Sequence, residues 1–276
     1  MSIIPENVVI YTFLTLLSLA IGSFINVIIY RLPLIMREEW LAEYHEWIND
    51  PSLSAKVSSQ PLSLAYPRSF CPQCKSLIPF YHNIPLLSYF ILRGRCAHCK
   101  QNISWEYPCI EAISCALTLS VYHHWGMSIS TVFGMLFVWW IIPLIVIDLK
   151  RQILPDTLTI SLLWLGLLAN TQQVFVALPD AVYGAIVGYL SLWGFIQLYY
   201  LLTKKIGMGH GDFKLFAALG AWFGWISLPV ILFIASCCGV MYGLIFLGIT
   251  RQNKDTPIPF GPFLCIAALI YANFWL

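Results

Sequence analysis

Two aspartates stand at the ends of apolar stretches in a chain that has few acidic residues. Asp148 directly follows the apolar run that ends at Ile147, and Asp212 lies in the glycine-rich stretch Gly207–Lys214. A carboxylate beside apolar helix ends is partly desolvated, and two such groups that lie close together share one proton. One can then act as a base toward water while the other acts as an acid toward a carbonyl group. The pattern therefore indicates aspartyl-type hydrolysis, if the fold brings the two residues together.

Glycines surround the second of these aspartates. Gly207, Gly209 and Gly211 allow another chain to approach the backbone closely, so an extended substrate could pair with the exposed main chain. The ordinary interpretation is that an aspartate beside Lys214 forms a solvated ion pair. A proton or ion relay in a transporter is a third interpretation of the same carboxylates. The residue types alone leave all three interpretations open.

Four cysteines form two C-x-x-C pairs separated by 21 residues. Each tight turn aims two thiolates at one point, and four sulfurs complete the tetrahedron that zinc prefers. Structural disulfides are rare in a reducing compartment, so a zinc ribbon is favoured over a redox pair or four ordinary apolar cysteines. Such a site would help a short segment with little core to fold. The predicted ligands are Cys71, Cys74, Cys96 and Cys99, and the other cysteines are interpreted as packing residues.

The elements that carry these residues are apolar helices. Of 276 residues, 59% are hydrophobic and 10% are charged, with a mean hydropathy of +0.76, which excludes a cytosolic enzyme and a nucleic-acid-binding protein. Two charge-free runs are long enough for two membrane spans each, with breaks at His123–Gly126 and at Gly224–Pro229. The sequence therefore predicts eight transmembrane helices. The charge-free runs are Val8–Tyr30, Ala112–Ile147, Thr157–Pro179, Ala181–Thr203, Leu215–Thr250 and Thr256–Leu276.

The positions of the basic residues predict the orientation of these helices. With eight helices all 15 Lys and Arg residues fall on one face, whereas with six helices they divide between both faces. Both termini then lie outside, and both aspartates lie at the cytosolic face. No cleavable signal peptide is expected, because the first seven residues contain no Lys or Arg and carry Glu6.

The predicted fold class is an all-α polytopic membrane protein with a cytosolic zinc-ribbon-like insertion between helices 1 and 2. The predicted domains are a first transmembrane helix over 1–30, a cytosolic domain over 31–111 and a membrane core of seven helices over 112–276. Within the insertion, Arg37–Trp47 has the pattern of an amphipathic interfacial helix, and residues 37–60 carry no assignable motif. Asp156 follows Pro155 at the start of a helix, where a capping role is expected.

Taken in order along the chain, these motifs resemble a known family over nearly the whole sequence. That family is the bacterial type IV prepilin peptidases, bifunctional leader peptidases and N-methyltransferases of pilus and type II secretion systems. The matching segments are Gly22–Pro33, the two cysteine pairs, Ile84–Ser88, Leu92–Cys96, Asp148, Leu154–Asp156, Gly209–Lys214 and Pro259–Phe263.

The resemblance implies an activity and a role for several residues. Asp148 and Asp212 match the two catalytic aspartates of the family, which removes the short basic leader of prepilins and pseudopilins after a glycine. The family works at the cytosolic face of the inner membrane and then methylates the new N-terminus with S-adenosylmethionine. Both termini of the chain would be periplasmic. The four cysteines match its cytosolic domain, and Gly94 lies in a segment associated with methylation, which makes Gly94 a candidate cofactor-binding residue.

Two other function classes remain as alternatives. A transporter would use Asp148 and Asp212 as a proton relay. It would be expected to have charged residues in mid-helix, which this sequence lacks, and internal repeats, of which the sequence shows no convincing example. A non-enzymatic, zinc-bearing assembly factor predicts that the aspartates are dispensable while the cysteines are not.

Overall fold

The structure, a computed structural model, describes residues 6–48, 62–205, 208–250 and 258–275. Over these ranges the chain is almost entirely helical, and strand pairing is limited to two isolated antiparallel bridges. The all-α prediction is therefore confirmed. The chain divides into two compact units, residues 1–126 and 127–276. The predicted domain boundaries after residues 30 and 111 stay a prediction.

The first unit is built on two long helices that pack closely. Helix α1 spans Glu6–Ile48, and helix α3 spans Glu106–Trp125. They meet at Gly22, where a Cβ atom would lie 2.8 Å from the Cα atom of Glu111. The shorter elements between them in the sequence are a 3₁₀ turn, Phe80–Asn83, and helix α2, Leu87–Ile91.

Helix α1 continues well beyond the predicted span. The charge-free run ends at Tyr30, but the helix continues through Pro33 and ends at Ile48. The segment with the amphipathic pattern is therefore helical and continuous with α1. The rest of the unassigned insertion, residues 49–60, lies outside the described residues.

The second unit has helix α7 at its centre. Every residue of α7 from Leu215 to Phe223 is buried, as expected for a helix that is apolar on all sides. Both predicted breaks are confirmed, because α3 ends at Trp125 before α4 begins, and α7 ends at Gly224 with a φ of +76°. The helices of this unit in the described residues are α4 (Ile129–Arg151), α5 (Asp156–Thr171), α6 (Leu178–Thr203), α7 (His210–Phe223), α8 (Leu228–Thr250) and α9 (Gly261–Trp275).

Small residues let α6 approach α7 to backbone contact. Gly184 of α6 faces Gly220 of α7, and a Cβ atom on either glycine would overlap the backbone carbonyl of the other. One turn further along α6, a Cβ atom on Gly188 would lie 2.8 Å from the carbonyl oxygen of Phe216. This close packing fixes the position of α7, and therefore of the residues at its N-terminus.

The C-terminal end of α7 is held by the buried side chain of Asn170. Its amide nitrogen donates to the carbonyl oxygens of Ala221 and Trp222, at 2.9 and 3.0 Å. Its amide oxygen accepts hydrogen bonds from the backbone N–H groups of Phe175 and Val176. Carbonyl groups that the helix end leaves without partners are thus satisfied inside the unit.

Four helical segments in the described residues are long and apolar enough to cross a membrane, which identifies an integral membrane protein. Helices α5, α7 and α9 have 16, 14 and 15 residues, fewer than the roughly 20 that a full span requires. The number of eight spans therefore stays a prediction. The four segments are Asn7–Tyr44, Ile129–Arg151, Leu178–Thr203 and Trp225–Phe246.

Candidate functional site

Asp148 lies one turn before the C-terminal end of α4, with 5% of its surface exposed. The helix ends where Gln152 takes the left-handed conformation, and the Gln152 N–H donates to the Asp148 carbonyl at 2.8 Å. The helix end thus fixes the backbone of Asp148. The carboxylate of Asp148 accepts a hydrogen bond from the backbone N–H of Gly261, the first residue of α9.

Asp212 lies in the first turn of α7, with 8% of its surface exposed. Gly209 precedes the helix, and its backbone N–H donates to the Asp212 carboxylate. The N-terminal end of a helix has unpaired N–H groups and a partial positive charge, both of which favour an acidic side chain. Asp212 is therefore placed where a buried carboxylate can be tolerated.

The structure brings the two carboxylates close enough to interact electrostatically. Both lie in the second unit, although 64 positions separate them in the sequence. Among the described residues, neither Oδ2 of Asp148 nor Oδ1 of Asp212 has a hydrogen-bond partner, and both atoms are buried. Buried polar atoms usually have a partner, because leaving one unpaired is costly. Such a pair is suited to act on water and on a carbonyl group.

Leu154 packs against two glycines. Gly211 precedes Asp212 in the sequence, and Gly261 contacts Asp148 in the fold. A Cβ atom on Gly211 would lie 2.7 Å from the Cβ atom of Leu154. A Cβ atom on Gly261 would lie 2.6 Å from Oδ2 of Asp148 and 3.0 Å from Cδ1 of Leu154. At both positions only glycine fits without a shift of these neighbours.

The surroundings of Gly209 differ from those of Gly211. Among the described residues, the nearest atom to a Cβ built on Gly209 is Oδ2 of Asp212, at 3.9 Å, so a small side chain has room there. Next to it, His210 is exposed, and its ring contacts Phe213 with 5.5 Å between the ring centroids. The space beside Gly209 is compatible with the predicted approach of a substrate backbone. Gly207 lies outside the described residues.

Lys214 forms an ion pair with Asp156 and not with either buried aspartate. Its Nζ donates to both carboxylate oxygens of Asp156 at 2.7 Å. The expected capping role of Asp156 is wrong, because Pro155 is the N-cap of α5 and makes no side-chain capping hydrogen bond. The pair joins the N-terminal turns of α5 and α7. It is solvent-exposed, so it contributes at most about 1 kcal/mol to stability.

The four predicted zinc ligands form one cluster in the first unit. Their sulfur atoms all lie within 4.8 Å of one another, and the sulfurs of Cys71 and Cys99 are 3.9 Å apart. A tetrahedral zinc ion with Zn–S bonds of about 2.3 Å places its sulfurs about 3.8 Å apart. The arrangement of Cys71, Cys74, Cys96 and Cys99 therefore fits a structural Zn²⁺ ion.

The two cysteine turns have the same backbone hydrogen bonds. In the first, Lys75 N–H donates to the Cys71 carbonyl and Cys71 N–H to the Ser76 carbonyl. In the second, Lys100 N–H donates to the Cys96 carbonyl, while Cys96 N–H donates to the Gln101 carbonyl. Both lysines adopt positive φ angles, 56° and 60°. The repeated geometry explains how each turn directs two thiols to one centre.

Gly94 lies in a tight turn immediately before the second cysteine turn. Its φ is +65°, and a Cβ atom would lie 2.8 Å from the hydroxyl oxygen of Tyr89. Its N–H donates to the Tyr89 carbonyl, and its own carbonyl accepts from Ile103 N–H. Backbone conformation therefore explains why glycine occurs here. Its predicted contact with a cofactor stays a prediction.

Three residues beside the aspartates were not predicted as part of the site. Gly261 and Leu154 occur in motifs that carry the family resemblance, but their spacing assigns no contact to either. Cys265 is fully buried, as expected for a packing residue, and it also interacts electrostatically with Asp148 and Asp212. A glycine between Phe260 and Pro262 at a helix start is the one signal for Gly261 in the sequence.

Comparisons with known proteins agree with this geometry. Residues 16–125 match the bacterial peptidase A24 N-terminal domain, and residues 135–244 match the type IV leader peptidase family. No solved structure matches the chain.

Several curated relatives are similar over almost their whole length, and each is named prepilin leader peptidase/N-methyltransferase. The protein of Legionella pneumophila is 51% identical, over 96% of this chain and 91% of the relative. That of Aeromonas hydrophila is 45% identical, over 94% and 89%. That of Stutzerimonas stutzeri is 42% identical, over 92% and 87%. Both family models and the full-length relatives indicate the same family. This chain therefore belongs to the type IV leader peptidase family and is an enzyme.

Proposed function

We propose that this chain is a membrane aspartyl endopeptidase that removes the leader of type IV prepilins and then methylates the new N-terminus. The observation that carries the peptidase half is the buried pair of Asp148 and Asp212, each with one unpartnered oxygen among the described residues. The names of the relatives, prepilin leader peptidase/N-methyltransferase, support both halves. Neither the family nor these names support the transporter alternative.

The two carboxyl groups divide the chemistry of hydrolysis between them. The ionised group takes a proton from a water molecule, whose oxygen adds to the carbonyl carbon of the scissile bond. The protonated group donates its proton to the carbonyl oxygen. As the tetrahedral intermediate collapses, the proton taken from water passes to the leaving amine. One hydroxyl of the intermediate returns its proton to the group that donated it, so the carbonyl forms again and the pair regains its starting state. Because Asp148 and Asp212 interact, they titrate as a pair, and either can take either role.

The substrate reaches the pair from the cytosol. The apolar helix of a prepilin or pseudopilin lies along the helices in the lipid bilayer, and its basic leader bends toward the aspartates. The space beside Gly209 accommodates the extended backbone around the scissile bond. The position of all Lys and Arg residues on one face of the eight-helix arrangement supports a cytosolic site, periplasmic termini and residence in the bacterial inner membrane.

Methylation uses S-adenosylmethionine, which supplies the methyl group to the α-amine that cleavage exposes. Gly94 is the candidate contact for this donor, although its conformation already accounts for the glycine. A zinc ion held by the four cysteines would have a structural role, because four sulfurs leave no coordination position for a substrate.

The test is a reaction of the purified protein in liposomes with a prepilin and S-adenosylmethionine, followed by mass spectrometry. We expect loss of the leader and then a mass increase of one methyl group on the mature chain. Cleavage without that increase would overturn the methyltransferase half. No cleavage, where a relative processes the same prepilin, would overturn the peptidase half.

A further inference from the structure

The segment that carries the cysteines, residues 62–105 and here called the cysteine module, exposes large apolar side chains. Small water-soluble modules rarely expose contiguous apolar surface, and where they do, the surface usually binds a partner. Each of these side chains has between 62% and 78% of its surface exposed: Leu77, Phe80, Phe90, Ile91 and Trp105.

Ring contacts place three of these side chains in two groups, one around Tyr89 and one at Tyr81. The ring of Tyr89 contacts Phe90 and Trp105, with centroids 6.1 and 5.1 Å apart. Phe80 contacts Tyr81 at 5.4 Å, and the Tyr81 carbonyl accepts a hydrogen bond from the neighbouring Ser88 hydroxyl. We call the surface formed by Phe80, Tyr81, Phe90, Ile91 and Trp105 the aromatic face.

The charge of the module has one sign. Residues 62–105 contain no Asp or Glu, and all of their basic side chains are exposed. With four thiolates on a Zn²⁺ ion, the formal net charge is still about +3. Exposed cations and exposed aromatic rings on one module complement an anionic lipid surface, which attracts Lys and Arg and accommodates Trp and Tyr at the headgroup level. The basic residues are Arg68, Lys75, Arg93, Arg95 and Lys100.

Two buried charged residues hold the module where the apolar helices end. Arg31 directly follows the charge-free run of α1, and its guanidinium donates to the backbone carbonyls of Ser63, Leu64 and Pro67 at 2.6–3.2 Å. Glu111 directly precedes the charge-free run of α3 and accepts a hydrogen bond from Leu86 N–H at 2.7 Å. Both anchors therefore lie at the boundary between apolar helix and water.

We propose that the aromatic face rests on the anionic headgroups of the bilayer in which α1 is embedded. The apolar side chains then reach the acyl boundary, and the basic side chains lie among lipid phosphates. This contact fixes the zinc-bearing module against the membrane surface, a role that goes beyond proteolysis and methylation.

Photo-crosslinking in the full-length protein tests this contact. Phe90 is replaced by p-benzoylphenylalanine, and the protein is reconstituted in vesicles of phosphatidylcholine and phosphatidylglycerol. After irradiation, mass spectrometry measures the mass of the protein and of any lipid adduct. The same replacement at Phe195, exposed on the membrane-span helix α6, is the lipid-contacting control. Replacement at Gln73, exposed in the first cysteine turn, is the control for water contact.

We expect lipid adducts at Phe90 and Phe195 and none at Gln73. Replacing both Arg68 and Arg93 by Gln should lower the adduct yield at Phe90 about fivefold or more, with the yield at Phe195 unchanged. Adducts at Phe195 alone, or equally at Gln73 and Phe90, would overturn the proposal. An adduct of Phe90 with added prepilin in place of lipid would overturn it too and would assign the aromatic face to the substrate.

Discussion

Gly261 and Asp148 are in direct contact, although 113 positions separate them in the sequence. The N–H of Gly261 donates to the Asp148 carboxylate. A Cβ atom at position 261 would lie too close to the same carboxylate, so only glycine fits there. The N-terminus of α9 therefore positions a side chain on α4. An uncharged residue thus belongs to the site because of its backbone.

Replacing Gly261 by Ala should impair cleavage more than it impairs folding. The added Cβ atom would lie 2.6 Å from Oδ2 of Asp148, so the carboxylate must move. A displacement of about 1 Å at a reacting group lowers the rate by about 100-fold. We expect kcat to fall 10- to 100-fold, measured by prepilin cleavage in liposomes.

The matched control for this variant is Gly239→Ala, in which the new Cβ atom makes an ordinary contact of 3.4 Å with Phe263 of α9. The double variant Gly261→Ala/Leu154→Ala removes the second steric contact but not the contact with Asp148. Recovery of kcat in the double variant would show that Leu154, and not the carboxylate, causes the loss.

The two glycines before Asp212 should respond differently to alanine. Within the described part of the chain a Cβ atom on Gly209 has space, so we expect the effect of Gly209→Ala to arise where a substrate backbone approaches. We expect its KM to rise about tenfold with kcat nearly unchanged, as when binding alone is lost. Gly211→Ala meets Leu154 at 2.7 Å and should lower kcat and the unfolding temperature together. Steady-state kinetics and thermal unfolding separate the two, and equal effects on KM would count against substrate contact at Gly209.

The sequence predicts the helices better than it predicts their contacts. Apolar runs and the breaks at Gly126 and Gly224 locate the helices, because hydrophobicity and glycine act locally. The charge-free run ends at Tyr30, but α1 continues through Arg31 and Pro33 to Ile48. Here Arg31 is satisfied by carbonyl groups from later in the chain, which local sequence cannot reveal.

Packing of α6 against α7 should depend on Gly184. A Cβ atom there would overlap the backbone carbonyl of Gly220, and overpacking of this kind typically costs about 1–3 kcal/mol. We expect Gly184→Ala to lower the unfolding temperature in detergent. Gly194 lies on the same helix, and no atom of the described residues is within 4 Å of a Cβ built there, so Gly194→Ala should leave the unfolding temperature unchanged or slightly raised. A loss of stability in both variants alike would contradict the packing argument.

Loss of one zinc ligand should unfold the cysteine module while leaving α7 intact. In Cys71→Ser, three sulfurs remain, and we expect zinc content to fall and proteolysis within residues 62–105 to increase. Elemental analysis and limited proteolysis followed by mass spectrometry measure these changes. Cys109→Ser is the matched control, because Cys109 is not in the cluster. Zinc bound at one ion per chain in Cys71→Ser would contradict the four-sulfur site.

Part of the candidate site could be predicted and part could not. Asp148 and Asp212 are visible as acids beside apolar helix ends, and the four cysteines are visible by their spacing. The positions of the two aspartates relative to Gly261, Leu154 and Cys265 depend on how α4, α7 and α9 pack, and residue types do not reveal that packing. The ion pair of Lys214 with Asp156 likewise depends on tertiary structure.

The most direct test of the central claim is cleavage of a prepilin by Asp148→Asn and by Asp212→Asn, each compared with Asp156→Asn. Asparagine preserves shape but can neither take nor donate the catalytic proton, so both site variants should lose cleavage by about 100-fold or more. Asp156 is an exposed aspartate paired with Lys214, and its variant should cleave at nearly the wild-type rate. Wild-type cleavage by Asp148→Asn or by Asp212→Asn would contradict the assignment of these two carboxylates as the catalytic pair.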